Sequence, residues 1–311
     1  MFTINDHLTW YSGGTLLTQL LNSTNQQIKA LRISVLIRKE QQAEVFTSNG
    51  VTPILFKGLE ATEDLRRIAN DHEIVIHAAD STSPAAAEAL ILGLADCREN
   101  SNLKYFLHVS GTSSLGDRPI TMEMIESREF SDKDDIYSYL KEREAVATYA
   151  QRATDIKTVS TGELTGVNTL IVKAPIIYGR GTGIFNQKSF HIPALIQGAV
   201  AAGQAEYIGD GNGKWDYIHV IDLAGLFELL VSRILNGEGV STGRNGFYFA
   251  EMHRRKWKSL AEGIAIAGYS IGRLSSPVPR SITLREAAEK YTRGDQVLAE
   301  IGLASKYVHL S

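Results

Sequence analysis

The chain of 311 residues is long enough for one large α/β domain or for one domain with an additional lobe. Its 43% hydrophobic and 22% charged residues are typical of a soluble globular protein. The net charge of −3 gives no electrostatic reason to expect nucleic-acid or acidic-membrane binding. The single cysteine, Cys97, excludes an internal disulfide, and we interpret it as a core residue.

Targeting and membrane segments are not predicted. The N-terminus lacks a basic region followed by an apolar core, so we expect no secretory signal. The most apolar helical run, residues 85–95, is about half the length of a membrane span and contains Glu88. We therefore expect a cytoplasmic monomer or homodimer that binds a small-molecule substrate, without a metal ion, a nucleic acid or a membrane as partner.

Strands and helices are predicted to alternate along residues 1–180. A short, poorly apolar first strand at 1–4 is followed by predicted strands at 31–37, 52–56, 73–79, 104–109 and 169–173. Helices are predicted at 15–21, 41–47, 62–70, 85–97 and 138–152. Such alternation is typical of a doubly wound parallel sheet with helices on both faces. The alternation weakens beyond Tyr178, where helices at 192–202 and 223–235 and a late strand at 247–250 are predicted.

The predicted domain organisation follows from this change. We expect a nucleotide-binding-type sheet domain at 1–180, with residues 215–250 returning to it, and a smaller α/β lobe built mainly from 181–311. Ligands of such sheets bind at the carboxyl ends of the strands.

Small hydroxyl residues follow the fifth predicted strand in the stretch HVSGTSSLG, residues 108–116. They would place hydrogen-bond donors at the carboxyl edge of the sheet, where a substrate oxygen could be held. The alternative is a polar loop whose hydroxyls satisfy its own backbone.

The stretch YSYLK contains Tyr137 and Lys141, four residues apart. Lys141 is on the predicted helix 138–152, and Tyr137 directly precedes that helix. Positions i and i+4 share a helix face, so the ammonium would lie near the phenol. A nearby cation lowers the pKa of a tyrosine and makes it a usable proton donor or acceptor. Chance alone often produces such a pair, so its position after the serine-rich strand end gives it weight.

Two glycine-rich stretches come later in the chain. The stretch APIIYGRGTG, residues 174–183, is either a loop that lets backbone approach a flat ligand or a plain linker between sheet and lobe. The stretch GDGNGKWDYIHVID, residues 209–222, is explained without a ligand by a glycine turn, a short strand and the N-capping residue Asp222.

Taken together, these four stretches resemble the extended short-chain dehydrogenase/reductases, which include the NAD(P)-dependent sugar epimerases and dehydratases, and the epimerase-like and NmrA-like proteins within that group. The resemblance covers roughly residues 11–257. It implies a Rossmann-type fold in which Tyr137 is the catalytic acid/base and Lys141 both assists it and binds the nicotinamide ribose. It implies that Thr112 or Ser113 polarises the substrate oxygen, because Gly111 stands where sugar epimerases often have the serine.

The same resemblance implies a set of cofactor-binding residues. Besides Lys141, these are Gly13 and Gly14 just before the first helix, Ala78 and Ala79 at the end of the fourth strand, and Pro175 and Ile177 after the sixth. In this family the first strand runs into a glycine-rich turn that faces the pyrophosphate. Here His7 and Trp10 occupy the first two glycine positions, so the sequence predicts weak cofactor binding. Either the protein has reworked its cofactor site, or the first ten residues come from an altered gene product, which we favour.

Cofactor preference is indicated after the second predicted strand. A basic residue there favours the 2′-phosphate of NADP, and an acidic one favours the ribose of NAD. Arg38 and Lys39 follow Ile37, which predicts NADP(H) rather than NAD(H), although a solvated basic strand end would have the same sequence.

The leading hypothesis is an NAD(P)-dependent oxidoreductase or epimerase-like enzyme acting on a carbonyl or secondary alcohol. The alternatives are a non-catalytic, NmrA-like dinucleotide sensor and a cofactor-independent isomerase or cyclase. Tyr137 and Lys141 favour the enzyme, because a sensor needs neither.

Overall fold

The structure is a computed structural model that describes residues 2–3, 10–97 and 103–306. Its strands, numbered in chain order, are β1 Phe2–Thr3, β2 Ser34–Ile37, β3 Thr52–Leu55, β4 Ile74–His77, β5 Tyr105–Gly111, β6 Asn168–Ala174, β7 Ile176–Tyr178, β8 Glu206–Ile208, β9 Lys214–His219, β10 Phe247–Phe249, β11 His253–Lys256 and β12 Arg280–Ile282. Its helices are α1 Trp10–Leu21, α2 Gln26–Lys29, α3 Ala43–Ser48, α4 Thr62–Ala69, α5 Pro84–Asp96, α6 Ile136–Val146, α7 Ala150–Thr165, α8 His191–Ala202, α9 Val220–Leu235, α10 Trp257–Ser270, α11 Leu284–Tyr291 and α12 Gln296–Leu303.

The main sheet has seven strands in the order β10-β6-β5-β4-β1-β2-β3, and all its pairings are parallel. The chain winds outward from the centre in both directions, so the predicted doubly wound Rossmann-type fold is confirmed. Residues 247–250, predicted as a late sheet strand, form β10 beside β6, where Phe247 pairs with Ile171.

Both faces of the sheet are buried, because neighbouring residues of one strand enter different cores. Val35 and Ile37 pack with residues of α1 and α9, whereas Leu36 packs with residues of α4 and α5. On β5, Leu107 packs in the core with α1 and α9, and Phe106 packs in the core with α4 and α5. This two-residue period explains why the strands have continuous apolar sequences rather than alternating ones.

The helix predicted at 138–152 is wrong, since the structure contains two helices with a break between them. Helix α6 ends at Val146, Ala147 is extended, and Tyr149 is the extended N-cap of α7, with φ −147° and ψ 118°. The Glu144 carboxylate accepts hydrogen bonds from the Tyr149 backbone N–H at 3.0 Å and from Arg152 Nε at 3.2 Å. The break contains no glycine or proline, so local sequence gave no signal for it.

The lobe is built from two small sheets, β11-β9-β7 and β12-β8, with helices α8, α10, α11 and α12. Its core is shared with α6 and with the β10 side of the main sheet through residues such as Phe247, Trp215 and Trp257. Helix α12 carries Leu298 and Ile301 to the carboxyl edge of the main sheet. Within the described ranges, no helix combines the length and the apolarity that a membrane crossing requires.

Candidate functional site

A cleft of about 410 Å³ lies at the carboxyl ends of β4, β5 and β6. Its size is within the usual range for small-molecule sites, and its position is the one where open α/β sheets bind ligands. A second cavity, of about 450 Å³, lies near the amino ends of β2, β3 and β4, the opposite edge of the sheet. We therefore take the carboxyl-edge cleft as the candidate site.

The sheet side of this cleft collects residues predicted from separate parts of the sequence. They are Ala78 and Ala79 after β4, Thr112 and Ser113 after β5, and Pro175 and Ile177 at and after the end of β6. The structure thus brings together six residues that the resemblance assigned to the cofactor or to the reacting oxygen.

The opposite wall comes from the lobe and from the loop before it. Phe190 and His191 at the start of α8, Trp215 of β9, and Leu298 and Ile301 of α12 line this side. Burial lowers the pKa of His191 to about 4, so its imidazole is neutral at neutral pH. The sequence gave no readable motif for this wall, because its residues come from three distant segments.

Tyr149 enters the cleft from the helix break described above. The neighbouring Ser113 hydroxyl acts to lower the pKa of this phenol. The Arg152 guanidinium carbon lies 5.7 Å from the centre of the Tyr149 ring. The positive charge of Arg152 lowers the pKa of Tyr149, but burial has the larger effect and raises it above its ordinary value. The phenol therefore keeps its proton at neutral pH.

A chain of hydrogen bonds continues from Ser113 across the floor of the cleft. Ser113 Oγ donates to Gln151 Oε1 at 2.6 Å, and Gln151 Nε2 donates to Ser81 Oγ at 2.8 Å. The single hydroxyl proton of Ser113 is thus donated to Gln151. Gly111 makes room for this amide, since a Cβ there would lie 2.7 Å from Gln151 Nε2.

Thr112 and Ser113 therefore differ, although the sequence could not separate them. Ser113 belongs to the hydrogen-bonded chain, whereas the buried Thr112 Oγ1 has no partner among the described residues. Of the two, Ser113 is the hydroxyl placed beside a tyrosine.

Tyr137 and Lys141 lie elsewhere, and their predicted place in the cleft is corrected. Tyr137 is buried in α6, in the core shared with the lobe, and is absent from the described lining of the cleft. Lys141 Nζ does lie 5.6 Å from the Tyr137 ring centre, as the helical spacing predicts. The pKa of Tyr137 is raised, not lowered, because burial and Glu163 outweigh Arg244.

Sequence reasoning missed Tyr149 because the motif around it is incomplete. The residue four positions later is Ala153, so no Tyr-x-x-x-Lys pattern marks it. The one available signal was that Tyr149 precedes the helix that leads into β6, and the wrongly extended helix concealed this.

A buried ion pair supports the hydroxyl turn after β5. Lys173 of β6 and Asp155 of α7 are both fully buried and in contact. Lys173 Nζ also donates to Ser114 Oγ at 2.6 Å and to the Gly111 carbonyl at 3.4 Å. Burial lowers the pKa of Lys173 and raises that of Asp155. The pair holds the turn from below and does not line the cleft.

The first turn of α1 is covered by the glycine-rich segment 179–183. The Tyr11 hydroxyl donates to the Gly179 carbonyl at 2.9 Å, and the Thr182 N–H donates to Thr15 Oγ1 at 3.2 Å. A Cβ at Gly181 would lie 2.6 Å from Thr15 Oγ1. Gly179, at φ +96°, lies so close to the His219 ring that a Cβ would not fit there. Glycine is therefore needed at these two positions because the chain packs closely against Thr15 and His219. The interpretation that they let the backbone approach a flat ligand is not needed to explain them.

The remaining predicted cofactor residues lie around this turn. Gly13 and Gly14 are buried in it, and a Cβ at Gly14 would lie 3.2 Å from Gly183 Cα. Trp10 begins α1, but its side chain and all of His7 lie outside the described residues. Arg38 and Lys39 directly follow β2 and are exposed at its carboxyl end.

Among the described residues, no group of three or more His, Cys, Asp or Glu side chains is arranged to hold a metal ion. The described lining of the cleft consists of hydroxyl, amide and aromatic groups around a slot of small residues.

Comparison with known proteins agrees with the fold. Residues 13–242 match the model of the NAD dependent epimerase/dehydratase family. The chain belongs to this family, and its fold is the Rossmann-type fold of NAD(P)-binding enzymes, as the sequence resemblance implied.

The individual relatives have low sequence identity to this chain. Oxidase ucsJ of Acremonium sp is 27% identical over 296 residues, which cover 90% of this chain and 82% of the oxidase. An uncharacterized protein of Saccharomyces cerevisiae is 24% identical over 254 residues, covering 78% of this chain and 75% of the yeast protein.

Solved structures share the fold at low identity. DesIV, a dTDP-glucose 4,6-dehydratase of Streptomyces venezuelae crystallised with NAD and TYD, aligns with a TM-score of 0.62 and 14% identity over 96% of this chain and 97% of DesIV. UDP-glucose 4-epimerase of Thermotoga maritima, with UDP-glucose, aligns with a TM-score of 0.56 and 14% identity over 97% of both chains.

Proposed function

We propose that this protein is an NAD(P)-dependent oxidoreductase that reduces the carbonyl group of a small molecule, with Tyr149 as the proton donor. The observation that carries the proposal is that Tyr149 and Ser113, which follows β5, line the same cleft at the carboxyl edge of the sheet, where Ser113 acts on the pKa of the phenol. A carbonyl oxygen placed between these two hydroxyls would be polarised by both and protonated by one.

The residues present fit the nicotinamide end of the cofactor. Ala78, Ala79 and Val109 form a wall of small side chains, and Pro175 and Ile177 face the same cleft. A planar ring needs such a slot, and the nicotinamide would supply the hydride when bound. Arg38 and Lys39, exposed at the end of β2, support a preference for the 2′-phosphate of NADP(H).

The direction of the reaction follows from the protonation of Tyr149. Reduction needs a protonated phenol at the start, and oxidation of an alcohol needs a phenolate. Burial raises the pKa of Tyr149, and Ala153 offers no ammonium to lower it. The site therefore favours carbonyl reduction at neutral pH.

The catalytic proposal is tested by two phenol-to-phenyl exchanges. Tyr149→Phe should reduce NADPH-dependent turnover of a panel of aldehydes and ketones by about a hundredfold or more. Tyr137→Phe, the matched control, should change it less than twofold, because Tyr137 lies in the core. The opposite ranking would return the catalytic role to Tyr137.

We also propose that cofactor affinity is weak, for the reason given by the sequence. In the family the turn before α1 is glycine-rich, and side chains at His7 and Trp10 would limit the approach of backbone N–H groups to the pyrophosphate. The double variant His7→Gly, Trp10→Gly should bind NADPH at least tenfold more tightly in calorimetric titration, about 1.4 kcal/mol. Micromolar binding by the unaltered chain would contradict the proposal.

A second function, dinucleotide sensing without catalysis, is favoured by one observation. Ala153 replaces the lysine that the family places four residues after its catalytic tyrosine. With Tyr137 and Lys141 outside the cleft, the sequence argument against a sensor is weakened. A sensor would bind NADP(H), and Tyr149→Phe would leave both that affinity and any measurable output unchanged.

A further inference from the structure

The described lining of the cleft contains no charged side chain. None of the described residues that line it is Asp, Glu, Lys or Arg. The ionisable groups are Tyr11, Tyr149 and His191. Burial raises the pKa of both tyrosines and lowers that of the histidine to about 4. At neutral pH this described lining therefore has no formal charge.

Arg152, whose guanidinium carbon lies 5.7 Å from the Tyr149 ring centre, is bonded to Glu144 and is absent from the described lining. Other charged side chains near the cleft are directed elsewhere or are paired. Along β9, Trp215 lines the cleft, whereas the next residue, Asp216, accepts from Arg254 Nε at 2.7 Å. Neighbouring strand residues point to opposite faces, so the lobe sheet keeps this ion pair out of the cleft. Below the floor, Lys173 is fully buried against Asp155.

The lobe wall offers apolar contact in place of charge. Phe190 is 62% exposed and Leu298 is 46% exposed, although both line the cleft. Trp215 and Ile301 complete this wall. A ligand bound here would remove aromatic and aliphatic surface from water, at about 25 cal/mol per Å².

We propose that the substrate of this cleft is an uncharged, largely apolar ketone or aldehyde of the aryl or alicyclic type, and not a nucleoside-diphosphate sugar. A substrate diphosphate among these residues would lose hydration without gaining a cation from the described lining, which is unfavourable, whereas the cofactor pyrophosphate is expected at the N-terminus of α1. An apolar body would pack against Phe190, Trp215 and Leu298 while its carbonyl reaches Tyr149 and Ser113. The inference rests on the proposed function only for the placement of this carbonyl.

Two probes of nearly equal shape test the proposal by binding. Methyl 4-acetylbenzoate is a neutral aryl ketone, and 4-acetylbenzoate is its anion. In titrations of the Tyr149→Phe variant, with and without NADP⁺, the ester should bind at least tenfold more tightly than the carboxylate. UDP-glucose should bind more weakly than the ester. Because turnover is not the readout, loss of the catalytic proposal would leave this test intact.

Moving a charge into the wall should reverse the preference. Leu298→Lys places an ammonium at a half-exposed position of the cleft, so 4-acetylbenzoate should then bind more tightly than the ester. Val297→Lys is the matched control, because Val297 is 39% exposed and adjacent in α12 but is absent from the described lining. It should retain the original order.

The outcomes that overturn the proposal are equally specific. They are tighter binding of the carboxylate or of UDP-glucose by the chain without a wall substitution, and failure of the ester to bind at all. An unchanged order in Leu298→Lys would show that the lobe wall does not contact the ligand, and would also overturn it.

Discussion

Ala153 lies one helical turn after Tyr149, and its backbone N–H donates to the Tyr149 carbonyl at 3.0 Å. The methyl group of Ala153 thus stands on the same face of α7 where a lysine would bring an ammonium to the phenol. Arg152 supplies one cation near this phenol, and position 153 supplies none.

The first prediction places a cation at position 153. Ala153→Lys should lower the pKa of Tyr149 by about one unit or more, because a nearby positive charge favours the phenolate. The pH at which oxidation of a secondary alcohol begins should shift downward by the same amount, while reduction at neutral pH changes less. Leu164→Lys, 87% exposed at the far end of α7, is the control and should leave the profile unchanged. An identical onset in both variants would place the position 153 side chain out of reach of the phenol.

The second prediction concerns the hydrogen-bonded floor. Gly111→Ala should displace the Gln151 amide, since the added Cβ would lie 2.7 Å from Nε2 and 3.0 Å from Oε1. Ser113 would lose its acceptor, and turnover should fall about tenfold with little change in melting temperature. Gln151→Ala should reproduce the loss, whereas Gly225→Ala, where a Cβ meets nothing within 4 Å, should be neutral. Full activity of Gly111→Ala would separate the floor from catalysis.

The third prediction concerns cofactor selectivity. Arg38→Ala should weaken NADPH binding at least tenfold, about 1.4 kcal/mol, and leave NADH within twofold, because only NADPH has a 2′-phosphate. Titration of both cofactors gives the comparison. Arg32→Ala, exposed just before the opposite end of β2, should affect neither. Equal losses for both cofactors in Arg38→Ala would indicate a role in the fold.

The fourth prediction follows from two buried histidines of neighbouring strands. His77 Nδ1 and His108 Nδ1 lie 3.0 Å apart, and both side chains are fully buried. Burial lowers the pKa of His108 to about 3 and that of His77 well below its ordinary value. The unfolded chain therefore binds protons below about pH 6.5 that the folded chain excludes.

The expected result is a loss of stability as the pH falls from about 6.5 towards 3, with a slope approaching about 1.4 kcal/mol per pH unit for each histidine. His108→Gln should make this slope shallower, as measured by urea unfolding at several pH values. His253→Gln, an exposed control, should keep it. A slope that does not change in His108→Gln would mean that this ring is protonated in the folded state.

The order and type of the sheet elements were determined by the sequence itself. Strands such as Ser34–Ile37 and Ile74–His77 are apolar on both faces, and that pattern requires a parallel sheet covered on both sides. The family resemblance implied roles for Ser113, Ala78 and Pro175, and they line one cleft because the carboxyl ends of parallel strands meet at one edge.

Only the tertiary structure decided which tyrosine enters the cleft. Tyr137 has the lysine that a motif requires, yet apolar contacts hold it in the core beneath the lobe. Tyr149 lacks that lysine and lies at the break between α6 and α7, where its backbone N–H donates to Glu144. The hydrogen bond from the Tyr149 N–H to the Glu144 carboxylate joins residues five apart. Such a bond produces neither a helical nor a strand pattern of apolar residues, so the sequence did not reveal it. The uncharged lobe wall was hidden for a related reason, since Phe190, Trp215 and Leu298 become neighbours only when three distant segments fold together.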